Sequence, residues 1–330
     1  MTRVELGRSP EEDLIEKVRE EIAQSPSTEL EFPISSMSVQ LASVINGLAR
    51  PSDIHSAALD VGTGCGIHSF LLHKRGFNSV LAIDCNERAV ALACARGVRL
   101  GIDSRLTDRT EVATALAEDG MTSRPHVLFS AVPLQELAAL VGTKFSLIVF
   151  NPPAFFFVRD ANVSSPAASG VYAGDTRTAL EVDQSLLFQF FKRIVLPLLA
   201  PGGEVICTWP GLERRTVEIN PAAERRGLPA HPADLLEYWL GVTVSCEDKD
   251  VDRFYGHTAV INVDYGLGSS FWSNLDHALQ NPRCYSTLVK PSDWRHGSRP
   301  TFRFGVLHLR RSHSVRDDFE VIREEGGSID

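Results

Sequence analysis

Long apolar runs are missing from this 330-residue sequence, and none reaches the roughly 18–20 residues that a membrane-spanning helix needs. The opening MTRVELGRSPEED has no apolar signal region, and the closing EEGGSID has no lipidation or retention signal. These absences lead us to expect a cytoplasmic chain with no membrane partner. Cysteine is sparse: six residues, at 65, 85, 94, 207, 246 and 284, with no CxxC pair and no Cys/His cluster at zinc-ligand spacing. Buried reduced thiols are expected, and no metal. None of the ten histidines forms a triad pattern, and GxSxG, P-loop and HExxH sequences are absent. Basic charge is also short, with 33 Lys+Arg against 42 Asp+Glu and a net charge of −9, the wrong sign for a protein that neutralises many phosphates. There is no internal repeat and no low-complexity tract. What remains is ordinary globular material, 43% hydrophobic and 23% charged.

The N-terminal residues 1–50 carry two helix signals. Ser9-Pro10-Glu11-Glu12 is a capping box with proline at the first helical position, followed by Leu14, Ile15, Val18 and Ile22 on one face. A second helix is expected over about 36–48, with Met37, Leu41, Val44, Ile45 and Leu48 on one side and Pro51 beyond its end. From there strands and helices alternate. Strands are expected at 57–62, 79–84, 126–131, 145–150 and 204–209. Helices are expected at 66–75, after Asn86, and over 179–199. The 145–150 run, FSLIVF, is apolar on both faces, as a central parallel strand should be. This βαβ alternation predicts a doubly wound α/β sheet. Further on, 231–240 reads as a helix, and 242–246, 258–263 and 302–309 read as strands. The turn-rich stretch at about 248–299 reads as an insertion within the domain 51–330.

Two sequence features point to chemistry. Asp60-Val61-Gly62-Thr63-Gly64-Cys65-Gly66 lies between the first strand and its helix, where glycines allow a sharp turn and close approach of the backbone to a ligand. The second strand ends in Asp84, placed to accept hydrogen bonds from a ribose diol. The second feature is Asn151-Pro152-Pro153-Ala154, directly after the fourth strand, at the carboxyl edge where open sheets bind ligands. Its prolines remove two donors and stiffen the loop, so the Asn151 side chain and the Pro152 carbonyl present acceptors for one NH or NH₂ group. His68 follows the glycine turn and reads as a surface or helix-start histidine.

On these residues the stretch 57–210 resembles the class I S-adenosylmethionine-dependent methyltransferases, and most of all their NPPY-type branch of N-methyltransferases. The resemblance implies a Rossmann-like methyltransferase fold with a seven-stranded, mostly parallel sheet of order 3-2-1-4-5-7-6, its seventh strand antiparallel. It implies S-adenosylmethionine as cofactor, with Asp60, Gly62, Gly64 and Gly66 lining its methionine part and sulfonium and Asp84 holding the ribose. It gives Asn151 and Pro152 the grip on the target amine. The LLAPGG segment at 198–203 also fits the pattern. Three positions depart from it. The aromatic residue expected after the prolines is replaced by Ala154, followed by Phe155, Phe156 and Phe157. The acid expected after the third strand is absent, and Ser130 stands nearest its place. Ser146 replaces the acid of the usual FDLIV. Phe155, Phe156 and Tyr172, the last in a glycine-flanked loop, are candidate acceptor contacts beside Ala154.

The leading expectation is an N-methyltransferase acting on an amine or amide nitrogen. A second is a cyclase converting S-adenosylmethionine to azetidine-2-carboxylate and methylthioadenosine. A third is a non-catalytic RNA- or protein-binding module on the same fold. The acidic balance favours a small-molecule or protein acceptor. RNA enters only through residues 281–315, where seven basic residues against the single acid Asp293 are interleaved with Tyr285, Trp294, Phe302 and Phe304. The N-terminal helices are expected to form a lid or recognition cap over the site, or to pad the sheet.

Overall fold

The computed structural model describes residues 10–24, 34–49, 51, 56–119, 125–152, 186–210, 231–248, 250–254, 256–260, 301–313 and 318–322. Helices α1 (Pro10–Gln24) and α2 (Ser36–Gly47) lead into β1 (Ala57–Val61), α3 (Ile67–Arg75) and β2 (Ser79–Asp84). Then come α4 (Glu87–Arg99), β3 (Ser104–Leu106), α5 (Val112–Asp119), β4 (His126–Ala131), α6 (Leu134–Leu140) and β5 (Phe145–Phe150). Helix α7 (Leu186–Phe190) continues through a π-helical turn (Phe191–Val195) and a last turn (Leu196–Leu198) into β6 (Leu199–Pro210). The remaining elements are α8 (Pro232–Leu240), β7 (Thr243–Ser245), α9 (Val251–Phe254), β8 (His257–Val260), β9 (Thr301–Arg311) and β10 (Asp318–Val321).

Nine strands form one path in the order β3-β4-β2-β1-β5-β6-β9-β10-β7, and β8 pairs with β9 off that path. From β3 to β6 every pairing is parallel, whereas β9 runs antiparallel to β6, β8 and β10. The seven-strand count and the order 3-2-1-4-5-7-6 are therefore not what the sheet shows. β3 adds an edge strand, and β10 lies between β9 and β7. The reason is local: β9 is eleven residues long, and the chain returns after Arg311 to pair Phe319 with Arg311 and Val321 with Leu309. That return covers the edge and buries Phe319. The three-residue β7 then pairs with β10.

The sheet separates two apolar layers. On one face, side chains of α1, α2, α3 and α4, including Val18, Leu41, Ile45, Phe70 and Val90, share one buried cluster. On the other, α5, α6, α7 and α8 pack against Leu59, Phe150, Trp209 and Leu307. Helix α2 lies on α3 and reaches β6, β8 and β9. The expected helix over 179–199 is described from Leu186 and ends at Leu198, and the next strand begins at Leu199 rather than Glu204. Pro197 lies in that final turn, where it removes a backbone donor, and the π turn precedes it. Arg311 closes the helix end by donating to the carbonyls of Leu196 (3.1 Å) and Leu199 (2.7 Å).

Candidate functional site

The strand order reverses at β1. From there the chain builds outward one way through β2 and β4, and the other way through β5 and β6. Such a switch point opens a crevice at the carboxyl ends of the strands. Val61 of β1 is register-paired with Phe150 of β5, so Gly62 and Asn151 are the next residues of two adjacent strands. The two sequence features meet there.

The glycine turn is built as its composition requires. Gly62, Gly64 and Gly66 have φ of 67°, 50° and 88°, values that side chains strain to reach. Gly62 is exposed and Gly64 half-exposed, leaving their backbone open to the crevice, whereas Gly66 is buried against Phe70. The turn is pinned from three directions. Thr63 N–H donates to the Ile83 carbonyl (2.9 Å), Gly64 N–H donates to Asp84 Oδ2 (3.1 Å), and Arg96 Nη1 donates to the Cys65 carbonyl (2.8 Å). Asp84 Oδ1 accepts from Asn86 N–H (3.0 Å). Burial pushes the Asp84 carboxyl above the usual range, against the pull of those backbone donors.

Asp60 is fully buried. Its Oδ2 accepts from Ser69 Oγ at 2.5 Å, and Ser69 Oγ lies 2.9 Å from Thr63 Oγ1. Its Oδ1 is buried with no hydrogen-bond partner among the described residues. Burial raises the Asp60 pKa, opposed by the nearby His68 and the Ser69 hydroxyl. His68 stands in the first turn of α3, as a helix-start histidine, but it is not a surface residue: it is 3% exposed, its Nε2 lies 3.1 Å from the Ser38 carbonyl, and burial lowers its pKa.

Asn151 is half-exposed and Pro152 is buried. Asn151 Oδ1 accepts from Thr208 Oγ1 at 2.7 Å, and its Nδ2 donates to Ser38 Oγ at 3.0 Å. Thr208 is brought there by register, because Phe150 pairs with Cys207 and the next residues are Asn151 and Thr208. Ser38 comes from α2. An amide oxygen has two lone pairs and an amide nitrogen two hydrogens, so Asn151 keeps one acceptor and one donor site beyond these two bonds. Ser130 is fully buried at the end of β4 and donates to the Thr107 carbonyl (3.1 Å); the half-exposed residue beside Asp84 is Ala131. Ala154, Phe155, Phe156, Phe157 and Tyr172 lie outside the described residues.

Sequence reading missed Ser38, Thr208, Ser69 and Arg96. For Thr208 a signal existed, since it is the one hydroxyl residue in the apolar strand run expected at 204–209. For Ser38 there was none. Among the described residues no cluster could hold a metal ion, and no helix is long and apolar enough to cross a membrane. Cys65, Cys94 and Cys207 are buried free thiols as expected, but Cys85 is exposed and Cys246 half-buried. Of the seven basic residues in 281–315, Arg311 caps a helix and Arg310 pairs with Glu204 at 2.6 Å.

No protein-family model matches the chain, and no curated protein matches it. Solved structures align with it at low identity. The putative sarcosine dimethylglycine methyltransferase from Galdieria sulphuraria is 14% identical over 84% of this chain and 86% of its own, with a TM-score of 0.39. The ribosomal protein L11 methylase from Lactobacillus delbrueckii subsp. bulgaricus is 21% identical over 57% of this chain and 66% of its own, with a TM-score of 0.31. The N-methyltransferase NodS from Bradyrhizobium japonicum WM9 is 16% identical over 58% of this chain and 74% of its own, also at 0.31. These superpositions are partial, so the fold rests on the strand order and pairings given above.

Proposed function

We propose that this chain binds S-adenosylmethionine at the β1–β5 switch point and moves its methyl group to an amine or amide nitrogen held by Asn151 and Pro152. The observation that carries this reading is the adjacency of an open glycine turn, closed by Asp84, and an amide fixed by two hydroxyls one strand away. The residues present fit the cofactor. The buried Asp60 Oδ1 lacks a hydrogen-bond partner among the described residues, and an ammonium group would satisfy it. Gly62 and Gly64 offer open backbone. Asp84 has lone pairs left beyond its two backbone donors for a ribose diol. Ala131, the half-exposed residue beside Asp84, would border the base side with a wall that carries no acid.

Bound S-adenosylmethionine supplies a methyl already activated by the sulfonium, so the protein need not protonate a leaving group. Asn151 cannot act as a base. Its remaining carbonyl lone pair and the Pro152 carbonyl accept the hydrogens of the acceptor nitrogen and turn that nitrogen's lone pair toward the site. Burial of Pro152 helps keep water away from it. In this reading Ala154, Phe155, Phe156 and Tyr172 supply the acceptor contacts, and the acceptor is a small molecule or a protein side chain.

The test is product analysis by mass spectrometry. The protein is incubated with S-adenosylmethionine alone and with panels of amines, glutamine peptides and RNA. S-adenosylhomocysteine that appears only with an acceptor supports methyl transfer. Methylthioadenosine formed from the cofactor alone overturns it in favour of cyclisation. No binding by calorimetry overturns both and leaves a non-catalytic module. Asn151→Ala should cut turnover with cofactor affinity nearly intact, and Asp84→Ala should weaken cofactor binding.

A further inference from the structure

Asn151 does not stand alone at the end of β5. Its amide is clamped between Thr208 Oγ1 on β6 (2.7 Å to Oδ1) and Ser38 Oγ on α2 (3.0 Å from Nδ2). Both hydroxyl residues are buried, Thr208 fully and Ser38 to 6% exposure, so little water competes for these bonds. Ser38 is itself fixed. Its Oγ lies 3.0 Å from Ser35 Oγ, its backbone N–H donates to Ser35 Oγ at 3.1 Å, and its carbonyl takes the His68 Nε2 contact at 3.1 Å. His68 precedes Ser69, the residue that binds Asp60. One turn of α2 thus touches the cofactor half of the site through its backbone and the acceptor half through its hydroxyl.

The polarity of this chain matters. A primary amide rotated by half a turn exchanges its acceptor for a donor, and a donor facing an amine hydrogen repels it. When the Ser38 hydroxyl gives its proton to Ser35 Oγ, it has only lone pairs left for Asn151, which favours the NH₂ toward α2 and the carbonyl toward Thr208. Resting on the reading that Asn151 grips an acceptor nitrogen, we propose that Ser38 is a positioning residue. With Thr208, it locks the Asn151 amide in the orientation that presents oxygen to the acceptor, making α2 part of the acceptor site rather than padding on the sheet.

The test uses the full chain and two probes that need no knowledge of the acceptor. S-adenosylhomocysteine fills the cofactor site and carries nothing at the methyl position. Sinefungin places a protonated amine there, whose hydrogens seek the Asn151 and Pro152 oxygens. Wild-type protein should bind sinefungin about tenfold or more tighter than S-adenosylhomocysteine by calorimetry, the size expected for charge-assisted hydrogen bonds. Asn151→Ala should abolish that preference. Ser38→Ala and Thr208→Val should each shrink it to about threefold or less while leaving S-adenosylhomocysteine affinity within about twofold, a split that a general loss of packing does not produce. A folded Ser38→Ala or Thr208→Val protein that keeps the full preference overturns the proposal. Should Ser38→Ala fail to fold, Thr208→Val decides by the same ratio. Wild-type protein that binds S-adenosylhomocysteine without preferring sinefungin overturns the acceptor grip at Asn151 itself, and wild-type protein that binds neither overturns the cofactor reading. The three failures are therefore distinct.

Discussion

Gly66 offers the sharpest test of how the glycine turn is held. It is buried at the N-cap of α3 with φ of 88°, and a Cβ placed on it would lie 2.7 Å from Phe70 Cζ and 3.2 Å from Ala93 Cβ. Phe70 is fully buried, meets Phe129 edge-on at 6.1 Å between centroids and lies close against Gly97, so the ring is packed where the methyl would push it. Gly66→Ala therefore carries two costs. The left-handed backbone costs a side-chain residue about 1–2 kcal/mol. Forcing a methyl into a packed core costs about 1–3 kcal/mol. The total is about 2–5 kcal/mol, a large share of a typical folding stability of about 5–15 kcal/mol. Gly76 is the control. It has φ of 98° at the other end of the same helix, and a methyl there would meet nothing within 4 Å, so Gly76→Ala should show the backbone cost alone. Urea unfolding of both variants separates the two contributions. Phe70→Leu, which trims the ring, should relieve Gly66→Ala in a double-mutant cycle by about 1 kcal/mol or more. Equal losses for the two glycines, or strict additivity with Phe70→Leu, would refute the claim that the turn is packed against that ring.

Two further predictions concern titration. Glu204 is held below the usual carboxylate range chiefly by its hydrogen bond to His308 (2.9 Å), helped by Arg310 (2.6 Å). A depressed folded pKa contributes stability that is full above the unfolded value near 4.5 and is lost as pH falls through the folded value. Thermal melting of Glu204→Gln should therefore match wild type more closely as the pH falls below that value, and a gap that widens in acid would contradict the pairing. Cys85 is exposed, yet burial of its thiol and the neighbouring Asp84 charge raise its pKa to about 11. Its iodoacetamide labelling, followed by peptide mass spectrometry, should be slow at pH 8 and rise about tenfold per pH unit up to pH 10. Ready labelling at pH 8 would show that burial of the thiol and the Asp84 charge together do not hold its pKa up.

The parallel half of the sheet was legible because its strands announce themselves. SVLAID, HVLFSA and FSLIVF are short apolar runs between turn signals, and the structure bounds them at Ser79–Asp84, His126–Ala131 and Phe145–Phe150. Such strands are buried on both faces, so their composition alone carries the message. β3 and β10 were not legible. β3 is three residues long with two exposed side chains, and it is held by pairing with β4 and by contact with α4 rather than by an apolar run of its own. β10 exists because β9 is long enough to be paired again after Arg311, a property of the partner rather than of the DFEV sequence. Edge strands are defined by what they join, which no local pattern records.

The site divides in the same way, and the division explains what a sequence can say about catalysis. Gly62, Gly64, Asp84 and Asn151 are visible because each must be that residue type at a strand end: a positive φ, an acid within reach of the Gly64 N–H, an amide on a proline-stiffened loop. The groups that hold them are ordinary by type. Ser38 is one serine among several at the start of α2, 113 residues from Asn151, and Arg96 is an arginine in the middle of α4. Arg96 is nevertheless 1% exposed, a placement that long cations avoid unless their hydrogen bonds are met, and here one of them reaches the Cys65 carbonyl of the glycine turn. Residues that present chemistry to a ligand are constrained by that chemistry and leave a pattern. Residues that orient them are constrained only by distance in the folded chain, and any hydroxyl or cation delivered to the right point serves. The orienting groups at Ser38, Thr208 and Arg96 come from α2, β6 and α4, three elements that meet only once the doubly wound sheet has formed.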